Sequence, residues 1–179
     1  MSKETPIQAT KTTFTIVESL AKRDGAGLSE LAQDLDLPKS TVHDHLTTLR
    51  DLGFLTKKGD HYRVGTRFVR LGAQVQHNMP IYGVAVPELR ELAEITGEHT
   101  SLMIEENGLG IYLHTVESSN TVKIISIDGT ATKLHTTAPG KAILAAHTRE
   151  ERDRIFEQHT LTAPTENTIT DRQTLEREL

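Results

Sequence analysis

Lys39, Ser40, Thr41, His43, Asp44 and Thr47 gather ammonium, hydroxyl, imidazole and carboxylate groups into one short stretch. Groups of this kind pair with phosphates and with the donor and acceptor edges of bases. Placed at 100° per residue with Val42, Leu46 and Leu49 inward, the stretch turns Ser40, Asp44, Thr47 and Asp51 outward. His43 and Arg50 fall on one flank, Thr41 and Thr48 on the other, and His45 lies at the apolar edge. Further on, Lys57, Lys58 and Arg63 supply positive charge that suits phosphate oxygens.

The elements that must hold these residues are legible in the spacing. Leu28, Leu31, Ala32 and Leu35 recur at one helical face, with Ser29 as the expected N-cap and Glu30 in the first turn. Asp36-Leu37-Pro38 breaks that helix, because the residue before proline is pushed out of the α region. Val42, Leu46, Leu49 and Leu52 then mark a second helix, which Gly53 ends. Phe54 to Lys57 and His61 to Val64 read as strands around a Lys58-Gly59-Asp60 turn. Phe14, Val17, Leu20 and Ala21 mark an earlier helix that completes a three-helix core. The order is that of a winged helix-turn-helix, a motif that lays its second helix in the major groove of double-stranded DNA.

Residues 6 to 67 resemble the winged helix-turn-helix of IclR-family transcription regulators. The resemblance rests on "GLSELAQDLDLPKSTVHDHLTTLRDLGFL" and "YRVGTRFVRLG". Later in the chain, "HTTAPGKAILA" (His135 to Ala145) resembles the family's effector-domain signature, and "NTIT" (Asn167 to Thr170) matches a short family stretch. Two separated matches in the right order cover nearly the whole chain. The sequence departs from the pattern at Asp44, where many members carry arginine, and at the next position, usually apolar, which is His45. A carboxylate at that place repels phosphate, so it is expected to face a base amino group or water.

Composition sets bounds. The 179 residues allow one domain or two small ones, with no 18-residue apolar run and no signal-peptide pattern. With no cysteine, disulfides and cysteine metal sites are excluded, and a cytoplasmic location is expected, with no membrane partner. The net charge of −5 divides unevenly: residues 1 to 75 hold 11 Lys and Arg against 9 Asp and Glu, and residues 76 to 179 hold 9 against 16. That asymmetry fits a nucleic-acid-binding head on an acidic body. A head so weakly basic predicts modest nonspecific affinity and a need for dimerisation.

The second half predicts an α+β domain. Thr66 is expected to cap a helix to about Asn78, with Phe68, Leu71 and Val75 in one stripe widened by Val69 and Ala73; Pro80 ends it. The resemblance makes it the linker helix of 68–179 and a dimer contact, and the family commonly pairs dimers into tetramers. A helix from Pro87 to Thr96 follows, with Leu89, Leu92 and Ala93 inward and Gly97 as C-cap. Strands are expected at His99 to Glu105, Gly110 to Val116 and Thr121 to Ile127, the first two joined at Asn107-Gly108. Helix plus antiparallel meander agrees with the family's GAF-like effector domain. Gly140 precedes a helix from Lys141 to Ala146 whose N–H groups favour a small carboxylate metabolite. The resemblance places Leu134, Thr137, Ala138 and Pro139 in the effector pocket with Gly140; Met103 is a further candidate on the first strand. Helices from Arg149 to Gln158 and Asp171 to Leu179 close a domain that reads as C-terminally truncated.

Enzymatic chemistry finds little purchase. His43 and His45 point to different helix faces, His99, His114 and His135 are scattered, and no HExxH or GxSxG is present. "PGKA" lacks the upstream glycine of a phosphate loop and has Ala142 where a magnesium-binding hydroxyl belongs. No cofactor and no metal is expected. A protein-interaction module with a degenerate winged helix is the principal rival reading, motivated by Asp44 and the weak basicity; a metal-dependent hydrolase is the remote one.

Overall fold

The computed structural model describes residues 6–117 and 128–179. The chain divides into two units, Met1–Val75 and Gln76–Leu179. The whole is α+β, with helices around two small antiparallel sheets.

The first unit is built from α1 (Gln8–Lys22), β1 (Ala26–Gly27), α2 (Leu28–Asp34), α3 (Lys39–Asp51), β2 (Leu55–Lys58) and β3 (His61–Val64). Ile16, Leu20, Leu31, Val42 and Leu46 are fully buried in one core, which Ala26, Leu55 and Tyr62 close from the sheet side. The sheet order is β1-β3-β2, with Leu55 opposite Val64 and Lys58 opposite His61. Gly59, at φ +59, begins the two-residue turn between them. Three local expectations change. The α1 stripe runs through Ile16, Val17 and Leu20, leaving Phe14 55 % exposed. Gly27, not Ser29, is the N-cap of α2; its N–H meets the Glu30 carboxylate at 3.4 Å. Leu52 lies beyond the last turn of α3 and is 53 % exposed.

The end of α3 is a Schellman cap. Gly53 takes φ +76, its N–H donates to the Arg50 carbonyl, and the Phe54 N–H donates to the Leu49 carbonyl. The remaining Leu52 carbonyl accepts from Arg67, whose guanidinium sits 4.6 Å from the Phe54 ring centre. Phe68 stacks against Phe54 at 4.9 Å, so the first turn of α4 (Arg67–His77) is fastened to the winged unit. The rest of the apolar stripe of α4 is open: Val69, Leu71 and Val75 are all exposed.

In the second unit, α5 (Pro80–Thr96) is seven residues longer at its start than expected. Pro80 occupies a first-turn position, where no N–H is required, and Pro87 lies inside the helix rather than opening it. The cost is one helical bond, since Pro87 cannot donate to the Gly83 carbonyl. Val86 and Ala93 are the buried residues, while Leu92 is exposed; Gly97 ends the helix at φ +70 as expected. Strands β4 (Thr100–Glu106) and β5 (Leu109–Val116) join through Asn107 and Gly108, both at positive φ. A register shift after Leu102 leaves Leu113 as the extra residue of β5, and its carbonyl accepts from Gln76 at 2.8 Å. The third strand paired in this sheet is β6 (Ala131–Lys133), beside β5; the expected strand Thr121 to Ile127 falls outside the described residues. A 3-10 turn (Leu134–Thr136), α6 (Ala138–Ala146), α7 (Arg149–Gln158) and α8 (Arg172–Glu178) complete the unit around Leu134, Leu144 and Ile155.

Candidate nucleic-acid interface and effector pocket

Helix α3 exposes Ser40, Asp44 and Asp51 of the predicted outward face, but the flank residue Thr48 rather than Thr47. Lys39, Ser40, His43 and Asp44 are exposed, and Thr41 and Thr47 are half-buried. Pro38 at the N-cap makes no side-chain cap bond, and the first turn carries no acid. The N–H groups and positive dipole end of α3 therefore face outward beside Lys39. Farther along, the acids pair with their immediate neighbours. His43 Nδ1 lies 3.4 Å from the Asp44 carboxylate. Arg50 donates to Asp51 at 2.8 and 3.1 Å, and that hydrogen bond raises the guanidinium above its ordinary range.

The wing cations are partly engaged. The Lys57 ammonium lies 5.0 Å from the Tyr62 ring centre, and Arg63 pairs with Asp24 at 3.6 Å. Lys58 is exposed at the tip of β2. A residue that periodicity did not single out is Thr13 on α1, whose hydroxyl meets His45 Nδ1 at 2.9 Å. With Phe14, Thr41, Asp44, His45 and Leu52 it lines an open groove of about 550 Å³ between α1 and α3.

The expected effector residues fall into two groups. Met103 and Leu134 meet over Gly110, where a Cβ would come within 2.7 Å of the Met103 sulfur and 3.1 Å of Leu134. Thr137, Ala138, Pro139 and Gly140 form the start of α6, which begins three residues earlier than expected. Thr137 is its N-cap, and its hydroxyl accepts from the Gly140 N–H at 3.2 Å. Gly140 is thus the third helical residue, buried so tightly that a Cβ would lie 2.1 Å from the Leu134 carbonyl oxygen. Its N–H is already used and Pro139 has none, which leaves Ala138 as the outward donor of that turn. A shallow depression of about 390 Å³ opens beside it, lined by Thr136, Thr137, Ala138 and Lys141. Lys141, which sequence reasoning passed over, pairs there with Glu178. His135 is buried, its Nε2 2.9 Å from the Thr162 carbonyl.

Known proteins share both halves of this arrangement. Residues 11–59 match the IclR helix-turn-helix domain, and residues 73–179 match the family described as bacterial transcriptional regulator IclR, C-terminal. The second match alone covers more than half of the chain, and the chain belongs to the IclR family of bacterial transcriptional regulators. Among relatives, the HTH-type transcriptional regulator KdgR of Escherichia coli is 30 % identical over 164 residues, covering 90 % of this chain and 62 % of the relative. KdgR of Dickeya chrysanthemi is 31 % identical, covering 87 % of this chain and 52 % of its own length. The chain therefore spans between half and two thirds of these curated relatives. The crystal structure of Thermotoga maritima IclR superposes with a TM-score of 0.76 at 27 % identity, covering 96 % of this chain and 70 % of that one. Both KdgR relatives are HTH-type transcriptional regulators.

Proposed function

We propose that the chain is a sequence-specific, DNA-binding transcription regulator whose second unit responds to a small carboxylate metabolite. The observation that carries the reading is α3: an uncapped, acid-free N-terminus with Lys39 beside it, continuing into an outward face of Ser40, His43 and Asp44. Backbone N–H groups and Lys39 suit a phosphate. Ser40, Thr41, His43, Asp44 and Thr47 are then the base-reading set, and Lys57, Lys58 and Arg63 the wing's phosphate contacts. Because Arg63 is shared with Asp24 and Lys57 with Tyr62, Lys58 is the wing cation most available to DNA.

Residues 6–67 form the DNA-binding domain and 68–179 the linker helix and effector domain. The exposed Val69, Leu71 and Val75 of α4 support pairing of two copies, which places two recognition helices on successive half-sites. Ala138, Thr137 and Lys141 support an anionic effector, and Met103 and Leu134, which belong to the core rather than to that depression, are proposed as its apolar contacts. A carboxylate there competes with Glu178 for Lys141. By linkage, effector and operator change one another's affinity by the same factor. The working compartment on this reading is the cytoplasm; among the described residues no helix is long and apolar enough to cross a membrane.

The test is a set of binding curves on matched and scrambled sites. Thr41→Ala or His43→Ala relaxes sequence preference by roughly 1–3 kcal/mol at one base position, while Lys58→Ala weakens all sequences alike and lowers the salt slope by about 1. Identical effects of the two kinds of variant would overturn this division of roles.

A further inference from the structure

His45 stands half-buried at the edge of the apolar stripe of α3, and it is bonded rather than merely packed. The Thr13 hydroxyl owns a single hydrogen, which it donates to the Ala9 carbonyl at 2.9 Å. With that hydrogen on the Ala9 carbonyl, the hydroxyl accepts from His45, and the Nδ1 atom at 2.9 Å is the donor of the pair. The bond ties the middle of α3 to α1, directly after Asp44 and one turn past Thr41.

We propose that this Thr13–His45 bond fixes the roll of α3 on α1, and that His45 is a positioning residue for base discrimination. The inference rests on the DNA-reading role given to α3 above. Val42, Leu46 and Leu49 hold α3 by apolar burial, which is non-directional and tolerates small rotations. A hydrogen bond holds its atoms within a window of about 0.5 Å. With side-chain tips at a radius of roughly 5 Å, a roll of about 20° shifts them by about 2 Å. That is enough to break a contact with a base edge while leaving flexible lysines on the phosphates. The bond lies half-buried on the wall of the α1–α3 groove, so its removal leaves the buried core of the unit in place.

The experiment uses the full chain and DNA fragments that it selects from a genomic pool. Affinities for selected and scrambled duplexes are compared by fluorescence anisotropy. Thr13→Val, which keeps the shape and removes the acceptor, is expected to cut the ratio of specific to nonspecific affinity by about fivefold. His45→Leu does the same, and the double variant is no worse than either single one. His45→Asn, whose amide N–H stands near the place of Nδ1, stays within about twofold of the starting ratio. His45→Gln, which reaches toward the position of Nε2 instead, does not. Thermal melts establish folding, and Thr13→Val carries the test if His45→Leu fails to fold. An unchanged ratio in Thr13→Val overturns the proposal. So does equal behaviour of the Asn and Gln variants, or a parallel fall of both affinities. If the unaltered protein shows no preference for any duplex, the DNA reading fails and the proposal falls with it.

Discussion

Helix α3 starts at Lys39 with no side-chain cap and an exposed cation, whereas α6 starts at Ala138 behind a side-chain cap, with the Ala138 N–H as its remaining donor. Thr137 takes the Gly140 N–H, Pro139 offers none, and Gly140 is pressed against Leu134. The difference separates two uses of a helix N-terminus. One end has no cap and, on the reading proposed above, meets an outside anion; the other is closed into its own core, and an anion there has only the Ala138 N–H and Lys141. Stability and binding should therefore respond oppositely to changes at the two ends.

The largest expected effect is at the closed end. Gly140→Ala puts a methyl group into the Leu134 backbone, and overpacking of this kind costs about 3 kcal/mol. Denaturant unfolding should show the transition of the second unit moving while that of the first stays. Thr137→Ala removes the cap of α6 and should cost about 1 kcal/mol in the same assay. At the open end, Pro38→Asp supplies the missing cap. The head should gain up to about 1 kcal/mol, yet DNA affinity should fall, because the new carboxylate meets phosphate; loss of stability with intact binding would break the contrast.

The smallest effect is in acid. Backbone and hydroxyl hydrogen bonds from Thr148 hold Glu151 below its ordinary 4.5, and those from Thr174 hold Asp171 below 3.8. Carboxylates lowered on folding contribute stability that is full above those ordinary values and is lost as pH falls through the lowered ones. The starts of α7 and α8 should therefore begin to loosen only in acid, seen as faster amide exchange at their first turns. The start of α3, which has no carboxylate cap, should show no such step.

Elements with a strong period were legible from residues alone. Val42, Leu46 and Leu49 face the core as their spacing requires, and the outward face of α3 followed except at Thr47. Leu52 and Phe14 were misplaced for a physical reason. The period describes a face only while the helix continues, and α3 ends at Asp51; on α1 the buried stripe follows Ile16 rather than its aromatic neighbour. Pro87 looked like a helix start because proline is poor in interiors, but burial of Val86 and a second proline at Pro80 outweighed one lost bond. Gly140 resembled an N-cap glycine; its true role, a close approach to the Leu134 carbonyl, depends on a neighbour six residues away. Pairings such as Thr13 with His45 and Lys141 with Glu178 join distant segments and leave no trace in local spacing.

The most direct measurement is selection of genomic fragments by the purified protein, repeated at two salt concentrations. Specific contacts lose less than phosphate contacts as salt rises. Enrichment of a few promoter fragments is expected to persist at the higher salt and to weaken in Thr41→Ala. Uniform recovery of all fragments that vanishes with salt, from a correctly folded protein, would contradict this expectation.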